Sequence, residues 1–202
     1  MEMTQVYIEK YSTNCYLLLN EETKEMIVID PGANGDRIYD KCVEMGGKVV
    51  AILLTHAHFD HITGVDKLRE LSGATVFANV AEKVSFKDSS VHMWTKEVTP
   101  DAFLEDGERR TLAGMEFVAI STPGHTPGCM CFYFEKDNML FSGDTLFHAS
   151  VGRTDLPGGD TEALIESVKN KLFVLPEETK VMPGHMGATT IAYEKIHNPF
   201  IR

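Results

Sequence analysis

Three histidines and one aspartate lie within seven positions of this chain, in the stretch THAHFDH at residues 55–61. The chain has only eight histidines among its 202 residues, so the grouping is dense. Imidazole and carboxylate groups are good ligands for divalent zinc, iron or manganese. Residues two apart in an extended segment point to the same side, which predicts that His56 and His58 can share one ion. Asp60 and His61 come where a helix is expected to begin, and they can share a second ion.

Three more polar residues follow apolar runs elsewhere in the chain, each next to a glycine. His125 comes after VAISTP, Asp144 after MLFSG and His185 after KVMP. Functional residues gather on loops at strand ends, and an adjacent glycine allows the backbone to turn sharply. The two histidines can supply one further ligand to each ion, and Asp144 can bridge both ions with its two oxygens. Seven ligands for two ions leave coordination positions open, which is typical of catalytic rather than structural metal sites.

These residues also have simpler interpretations. The clustered histidines can be a chance grouping or a pH-sensitive surface patch, and Asp144 in SGDT can be a helix N-cap. The joint placement of the four segments after apolar strands favours the metal site.

Three charged residues are candidates for supporting roles around this site. Asp30 in VIDPG is either a turn former or a partner that orients a metal-bound histidine. Arg153 and Asp155 in RTDLPGGD are predicted to form an ion pair that holds the loop after Asp144. The alternative for Arg153 is a substrate anchor.

The remaining histidines and two of the cysteines are expected to have no metal role. The histidines lie in polar or terminal segments, and the cysteines alternate in CMCFYF as residues of a core strand. They are His92, His148, His197, Cys129 and Cys131.

The elements that must position these residues alternate between strands and helices. Short apolar runs predict strands at QVYIE, CYLLL, MIVID, VVAILLT, TVFAN, GMEFVAIST, CMCFYF, MLFSGDT and KVMP. Helical spacing is found in GDRIYDKCVEMGGK, in ITGVDKLRELSGA with a stop at Gly73, at Thr161–Phe173 and around Thr189–His197. This order, with a hairpin-like turn at Asp137 and Asn138, favours two sheets covered by helices, although the pattern alone does not choose between these and one doubly wound sheet.

Composition narrows the functional classes. Nineteen basic against 30 acidic side chains give a net charge of −11, which disfavours nucleic-acid binding through a basic surface. A metal can still reverse the local potential for an anionic small substrate. No apolar stretch approaches the length of a membrane span, and the N-terminus lacks the pattern of a secretion signal. The four cysteines show no disulfide framework, so a reducing cytoplasm is expected.

THAHFDH followed by GHT, SGDT and PGH resembles the metallo-β-lactamase superfamily, and specifically its glyoxalase II-like (hydroxyacylglutathione hydrolase) branch. The likeness extends from NCYLL and VIDPG through VGRTDLPGGD to TTIAYEKIHNPF. It implies an α/β fold, a four-layer αββα sandwich, with a dinuclear site at one edge. Matched by position, one ion takes His56, His58 and His125. The other takes Asp60, His61 and His185, with Asp144 bridging the two.

The chain differs from the classical branch in two places. It ends soon after NPF, so residues 1–202 are expected to form a single hydrolase domain without the C-terminal helical substrate domain. GHMGATTI stands where the branch more often has a GHGP turn, which predicts a different loop after His185.

The expected activity is hydrolysis of a small-molecule thioester, or a related activated ester, by hydroxide held between two divalent ions. Zinc is the preferred metal, with iron or manganese as alternatives. Asp60 is the expected catalytic residue, which orients the attacking hydroxide and accepts its proton. No nucleic-acid or membrane partner is expected, and the sequence does not indicate the natural substrate or the oligomeric state.

The sequence leaves other functions open. Oxidation of a persulfide by a single iron is the main alternative, since GRTD also resembles proteins of that kind. A lactonase or β-lactamase activity and a non-catalytic metal-binding domain are less favoured. RNA processing would need an inserted domain and a basic surface, which this sequence lacks.

Overall fold

The computed structural model describes residues 1–83 and 98–201, and in these ranges strands and helices alternate. The polar segment KDSSVHMWTK, with its His92, lies outside the described residues.

The N-terminal half builds a six-stranded sheet, with neighbours in the order in which the strands occur. The first three strands pair antiparallel, and the third to the sixth pair parallel. The strands are β1 (Glu2–Ile8), β2 (Thr13–Leu19), β3 (Glu25–Ile29), β4 (Lys48–Leu53), β5 (Thr75–Asn79) and β6 (Ala102–Leu104).

The C-terminal half builds a second six-stranded sheet, β14-β13-β10-β9-β8-β7, and a separate two-stranded hairpin of β11 and β12. In the second sheet only the β10 and β13 pair is parallel. The strands are β7 (Arg109–Leu112), β8 (Met115–Ser121), β9 (Met130–Phe134), β10 (Met139–Gly143), β11 (Leu146–Phe147), β12 (Ser150–Val151), β13 (Lys180–Pro183) and β14 (Thr189–Thr190).

Helices connect the strands and cover the outer faces of both sheets. The helices are α1 (Gly35–Glu44), α2 (Phe59–Ile62), α3 (Val65–Ser72), α4 (Thr161–Ser167) and α5 (Ile191–His197), and a wider helical turn at Val168–Leu172 continues α4. A 3-10 turn at Val80–Glu82 follows β5, and another at Glu135–Asp137 joins β9 to β10 with Asn138 at φ 50°. The predicted turn at residues 137 and 138 is therefore confirmed.

Three apolar layers show why these elements stack as they do. Tyr16 and Leu18 of β2 face the second sheet, while Leu17 and Leu19 face α1 and α3. Both faces of the strand are thus buried, as in sheets covered on both sides. A third layer packs the outer face of the second sheet against α4, its continuation and α5. The expected αββα sandwich is confirmed.

One predicted helix is divided. ITGVDKLRELSGA was expected to form one helix beginning near Asp60, but α2 ends at Ile62 and α3 begins at Val65. The backbone N–H of Gly64 donates to the carbonyl of Pro31, which binds the break to the loop after β3. Gly73 ends α3 at φ 71°, as predicted. Asp60 and His61 therefore lie on a short helix of their own, and His56 and His58 precede it.

All four cysteines are buried and free of disulfides, and Cys129 and Cys131 belong to the core as predicted. Within the two described ranges, no helix combines the length and the apolarity that a membrane crossing requires.

Aromatic rings close the space between the two sheets. Phe141 of β10 is fully buried and meets Tyr16 of the opposite sheet edge-on, with ring centroids 5.0 Å apart. The ring centroid of Phe134 lies 5.5 Å from that of Phe141.

We expect Phe141→Ala to lower the free energy of unfolding by about 3–5 kcal/mol, because the substitution leaves a cavity between the sheets. Urea denaturation measures this loss. The control Val174→Ala removes a side chain that is 71% exposed and should change stability by less than about 0.5 kcal/mol. A loss below about 1 kcal/mol at Phe141 would contradict its place in the shared core.

Candidate metal centre

The predicted ligands lie together at one edge of the sandwich, where strands of both sheets end. His56 and His58 are on the loop after β4, and α2 carries Asp60 and His61. The ligands from the second sheet come directly after its strands. They are His125 after β8, Asp144 after β10 and His185 after β13.

The side chains form three overlapping sets with the spacing of a metal site, one of which joins the outer carboxylate of Asp30 to His56 and His61. The ring nitrogens of His56, His58 and His125 all lie within 4.8 Å of one another. Asp60, His61 and His185 form a second set within the same limit. The structure thus brings together the two groups that the sequence predicted.

Asp144 lies between the two sets and contacts both through its two oxygens. Its Oδ1 is 3.4 Å from His61 Nε2, and its Oδ2 is 3.5 Å from His125 Nε2 and 3.4 Å from His185 Nε2. A carboxylate in this position can serve two ions at once. The bridging role predicted for Asp144 agrees with this placement.

Hydrogen bonds determine which nitrogen of His56 and His61 faces the centre. The carboxylate of Asp30 accepts from the Thr55 hydroxyl at 2.6 Å and from His61 Nδ1 at 2.9 Å. Because the Thr55 hydroxyl donates its one proton to Asp30, it must accept from His56 Nδ1, which is 3.0 Å away. Both imidazoles therefore carry a proton on Nδ1 and present the lone pair of Nε2 to the centre.

Two other histidines are oriented by backbone carbonyls. His125 Nδ1 donates to the carbonyl of Arg153 at 2.7 Å, and His185 Nδ1 donates to that of Ser12 at 2.8 Å. Their Nε2 atoms are thereby left for the centre. His58 differs, because its Nδ1 faces inward and lies 2.8 Å from His125 Nε2.

Unpartnered buried atoms provide a test of whether a cation fits. Among the described side chains, four buried atoms have no hydrogen-bond partner: Thr179 Oγ1, which lies elsewhere, and three in the cluster, His56 Nε2, His61 Nε2 and Asp144 Oδ1. A buried polar atom without a partner is costly, and most such atoms in folded proteins are satisfied. All three point into the cluster, and all three are of the kinds that divalent metals bind. The residues therefore fit a metal centre.

The electrostatic field of the cluster also suits cations. Burial lowers the pKa of His185, but hydrogen bonds to Asp144 and Asp60 outweigh burial and raise this pKa to about 11. Burial likewise lowers the pKa of His61, and the charges of Asp144 and Asp60 raise it to about 9. On the other side, burial and the neighbouring His125 lower the pKa of His58 to about 3. The carboxylates thus favour positive charge at the Nε2 atoms of His61 and His185, where a bound metal ion would replace the proton, while the low pKa keeps His58 neutral.

Two glycines allow the loops to come this close. Gly143, before Asp144, has φ 48°, in the left-handed region that side chains disfavour. A Cβ on Gly184, before His185, would collide with Asp144 Oδ1 and stand 2.6 Å from His61 Cε1. The predicted glycine turn is confirmed at Gly143 and at Gly124, which has φ 141°, whereas Gly184 has no positive φ and is required there for space.

A buried glutamate that sequence reasoning missed joins two ligand loops. Glu82 is fully buried, and its Oε1 accepts from the backbone N–H of Ala57 at 3.0 Å. Its Oε2 accepts from the N–H of Gly128 at 2.8 Å. Ala57 lies between two ligand histidines, and Gly128 follows His125 by three residues. No spacing in the sequence could have indicated this residue, since its partners are backbone groups.

Asp30 lies in a turn, but its contacts distinguish between its two predicted roles. Its backbone is left-handed at φ 49°, as in a turn, and its carboxylate bonds the N–H of Thr55 at 2.8 Å as well as the two side chains described above. The outer partner of a ligand histidine is therefore the interpretation that the structure supports.

A cavity of about 610 Å³ opens above the cluster. Apart from the ligand residues, its described walls are apolar except for Ser150 and Arg153. The apolar residues are Phe59, Phe147, Val151, Leu156, Pro157 and Met186. Arg153 forms the predicted ion pair, with two hydrogen bonds of 2.7 Å to Asp155, and both side chains are exposed.

A second missed glutamate holds one wall of this cavity. Glu194 of α5 is 1% exposed and accepts from the backbone N–H of Ala149, in the turn between β11 and β12, at 3.1 Å. It also accepts from the hydroxyl of Thr189 at 2.6 Å and from the side chain of Asn198 at 2.8 Å. Glu194 therefore joins the β11 and β12 hairpin, which carries Phe147, to α5 in the segment TTIAYEKIHNPF.

The role of Asp30 leads to a testable expectation. Asparagine at position 30 can adopt the left-handed backbone. Its amide nitrogen replaces one of the two carboxylate oxygens that accept hydrogen bonds from Thr55 and His61. We expect about 10- to 100-fold weaker metal retention, measured by competition with a chromophoric chelator. Asp40→Asn, on the exposed side of α1, is the control and should retain metal as the wild type does. Equal retention in both variants would show that Asp30 does not orient His61 for a metal.

Comparison with known sequences agrees with this geometry. The family model of the metallo-beta-lactamase superfamily matches residues 8–185. The chain is 35% identical over 208 residues to the probable metallo-hydrolase YqgX of Bacillus subtilis, covering 100% of this chain and 98% of the relative. It is 34% identical over 210 residues to the hydroxyacylglutathione hydrolase GloC of Haemophilus influenzae, with the same coverage.

Solved structures with the same fold cover nearly the whole chain. The BLEG-1 B3 metallo-beta-lactamase is 38% identical with a TM-score of 0.92, covering 99% of each chain. TTHA1623 in a di-iron-bound form is 37% identical with a TM-score of 0.87, covering 98% of this chain and 99% of that one. ETHE1 from Myxococcus xanthus is 31% identical with a TM-score of 0.85, covering 98% and 84%. Together with the family match and the His/Asp cluster at the sheet edge, these likenesses show that the chain is a metallo-hydrolase of the metallo-beta-lactamase superfamily.

Proposed function

We propose that this protein hydrolyses a small-molecule thioester of the hydroxyacyl class with two divalent metal ions. The observation that carries the proposal is the cluster of seven His and Asp side chains, five of which line an otherwise largely apolar cavity while His56 and His61 lie behind them. We assign one ion to His56, His58 and His125. We assign the second to Asp60, His61 and His185, with Asp144 between them. Zinc is the preferred metal, and iron is the alternative that a di-iron-bound relative supports.

Divalent ions in such a site lower the pKa of water from 15.7 to about 7 and polarise a carbonyl oxygen, which supplies the nucleophile and stabilises the charge of the transition state. The side chains of this chain then have three tasks: to hold the reacting groups in place, to accept a proton and to exclude bulk water.

Asp60 is the residue to which we assign proton transfer. It lines the cavity, and its Oδ2 is 3.3 Å from His185 Nε2, which leaves Oδ1 for the attacking water. Burial raises the pKa of Asp60, but His61 and His185 outweigh burial and hold this pKa below its usual value. The carboxylate is therefore ionised at neutral pH and able to accept a hydrogen bond from a water molecule and orient it, and its position in the cavity is the reason that we assign it the proton.

A thioester suits the residues around the cluster. A thiol has a pKa of about 8.5, so a thiolate leaves without a strong acid to protonate it. Among the described cavity residues other than histidines, Arg153 is the one cationic side chain, and it is paired with Asp155. The GloC relative, named a hydroxyacylglutathione hydrolase, supports the same substrate class.

Oxidation of a persulfide at a single iron is the second candidate. The likeness to ETHE1 and the segment GRTD at residues 152–155 favour it. A mononuclear site needs three protein ligands, however, and this chain brings seven suitable side chains together. We therefore prefer the dinuclear hydrolase.

The proposal predicts thiol release from S-lactoylglutathione by zinc-loaded protein, with a rate constant of at least about 1 s⁻¹. A thiol-reactive dye measures the release, and thioesters of other thiols test whether glutathione is required. Iron-loaded protein with glutathione persulfide and an oxygen electrode tests the second candidate, and a β-lactam arm tests the activity named in BLEG-1. Metal-saturated protein that cleaves no thioester would contradict the proposal.

Asp144→Asn should lower both metal retention and thioesterase activity by about 100-fold or more, because the amide cannot offer two anionic oxygens to two ions. Asp137→Asn, in the turn between β9 and β10, is the matched control. Metal analysis and activity are measured on the same preparation. An Asp144 variant that is active with both ions bound would refute the bridging role.

A further inference from the structure

Met186, which directly follows His185, has an unusual backbone. Its φ is 66°, in the left-handed region where residues other than glycine, asparagine and aspartate are rare. Its side chain is also 56% exposed. Neither feature stabilises the fold, because the backbone is strained and the apolar surface remains in water.

Sheet contacts impose this conformation on Met186. The side-chain amide of Asn14 donates to the carbonyls of Met186 and Pro183, both at 2.9 Å. The backbone N–H of Asn14 donates to the carbonyl of Gly184 at 2.8 Å, and Gln5 donates to Asn14 Oδ1 at 2.7 Å. The start of β2 therefore holds residues 183–186 in place, and Met186 projects from a rigid support.

The thioether stands where two cavities adjoin. Met186 lines the cavity of about 610 Å³ above the His/Asp cluster. It also lines a neighbouring cavity of about 550 Å³ beside Gln5 and Tyr7, which shares Phe147 and His185 with the first. Tyr7 is itself 56% exposed. An apolar lip of Met186, Phe147 and Tyr7 thus extends from the reacting centre into the second cavity.

We propose that Met186 contacts the substrate and sets specificity, by covering an apolar acyl chain that runs from the reacting carbonyl into the second cavity. Methionine suits this task because its flexible, polarisable thioether adapts to apolar groups. Strain at a functional site is retained when the surroundings enforce it, as Asn14 does here. The inference rests on the proposed thioester hydrolysis for its substrate class.

The test compares two thioesters of glutathione, lactoyl and hexanoyl, in the wild type and in Met186→Gly. Glycine removes both the thioether and the backbone strain, so the Tm should rise by about 2–4 °C. We expect KM for the hexanoyl ester to rise about tenfold, with kcat within about twofold and KM for the lactoyl ester within about threefold. Met186→Leu, which keeps the apolar volume, should retain the wild-type KM, and metal content should be unchanged throughout.

Lys24→Gly is the matched control. Lys24 also has a positive φ, 60°, and is exposed in the turn between β2 and β3. It should show the same gain in Tm without any change in KM. A Met186→Gly variant whose KM for both esters matches that of the wild type would overturn the proposal.

A binding measurement separates failure of the proposal from failure of the proposed function. Protein labelled with ¹³C at methionine methyl groups is titrated with hexanoate, and the methyl signal of Met186 should shift to saturation. Met186→Gly should then bind hexanoate about tenfold more weakly, monitored on the other methyl signals. If the wild type cleaves neither thioester, the proposed function fails. The titration alone then decides whether Met186 contacts an apolar acyl chain. An unshifted Met186 methyl at saturating hexanoate would overturn the role of Met186.

Discussion

Orientation of the imidazole rings is the constraint on which the rest of this structure depends. His56, His61, His125 and His185 each give the Nδ1 proton to an acceptor, either Thr55, Asp30 or a backbone carbonyl. Each therefore presents an Nε2 lone pair to one centre. Without these acceptors the rings could adopt the other tautomer or rotate, and the donor set would be lost.

The two sheets place a hydrogen-bond acceptor behind each of these metal-ligand histidines. The parallel strands β3 and β4 bring Asp30 beside Thr55, so one carboxylate controls two histidines. The second sheet supplies Asp144 from β10 and His185 from its parallel neighbour β13. Buried carboxylates outside the cluster, Glu82 and Glu194, then hold loops whose backbone N–H groups would otherwise be unsatisfied.

The ligand cluster could be predicted from the sequence because metal chemistry restricts residue types. Three histidines and an aspartate in seven positions have few structural uses, and each remaining ligand follows a recognisable strand. The strands could be recognised from their apolar runs, but their pattern did not choose between two sheets and one doubly wound sheet, and the αββα order came from the family resemblance. Asp30 had two interpretations in the sequence, and only its contacts with Thr55 and His61 decided between them.

Other features could not be predicted, for physical reasons. Glu82 and Glu194 bind backbone groups far away in the chain, and such contacts leave no spacing pattern. Met186 is left-handed although methionine does not favour that region, because Asn14 enforces the conformation across 172 positions. The break between α2 and α3 lies at Gly64, and it depends on a close contact with Pro31 that the sequence does not show.

The central claim is that two metal ions occupy this edge of the sandwich, and anomalous diffraction from zinc-loaded crystals tests it most directly. The account predicts two anomalous peaks, one among His56, His58 and His125 and the other among Asp60, His61 and His185, with Asp144 between them. A single peak in fully loaded crystals would contradict the dinuclear site and favour the mononuclear alternative. A peak away from all seven side chains would contradict the assignment of the centre itself.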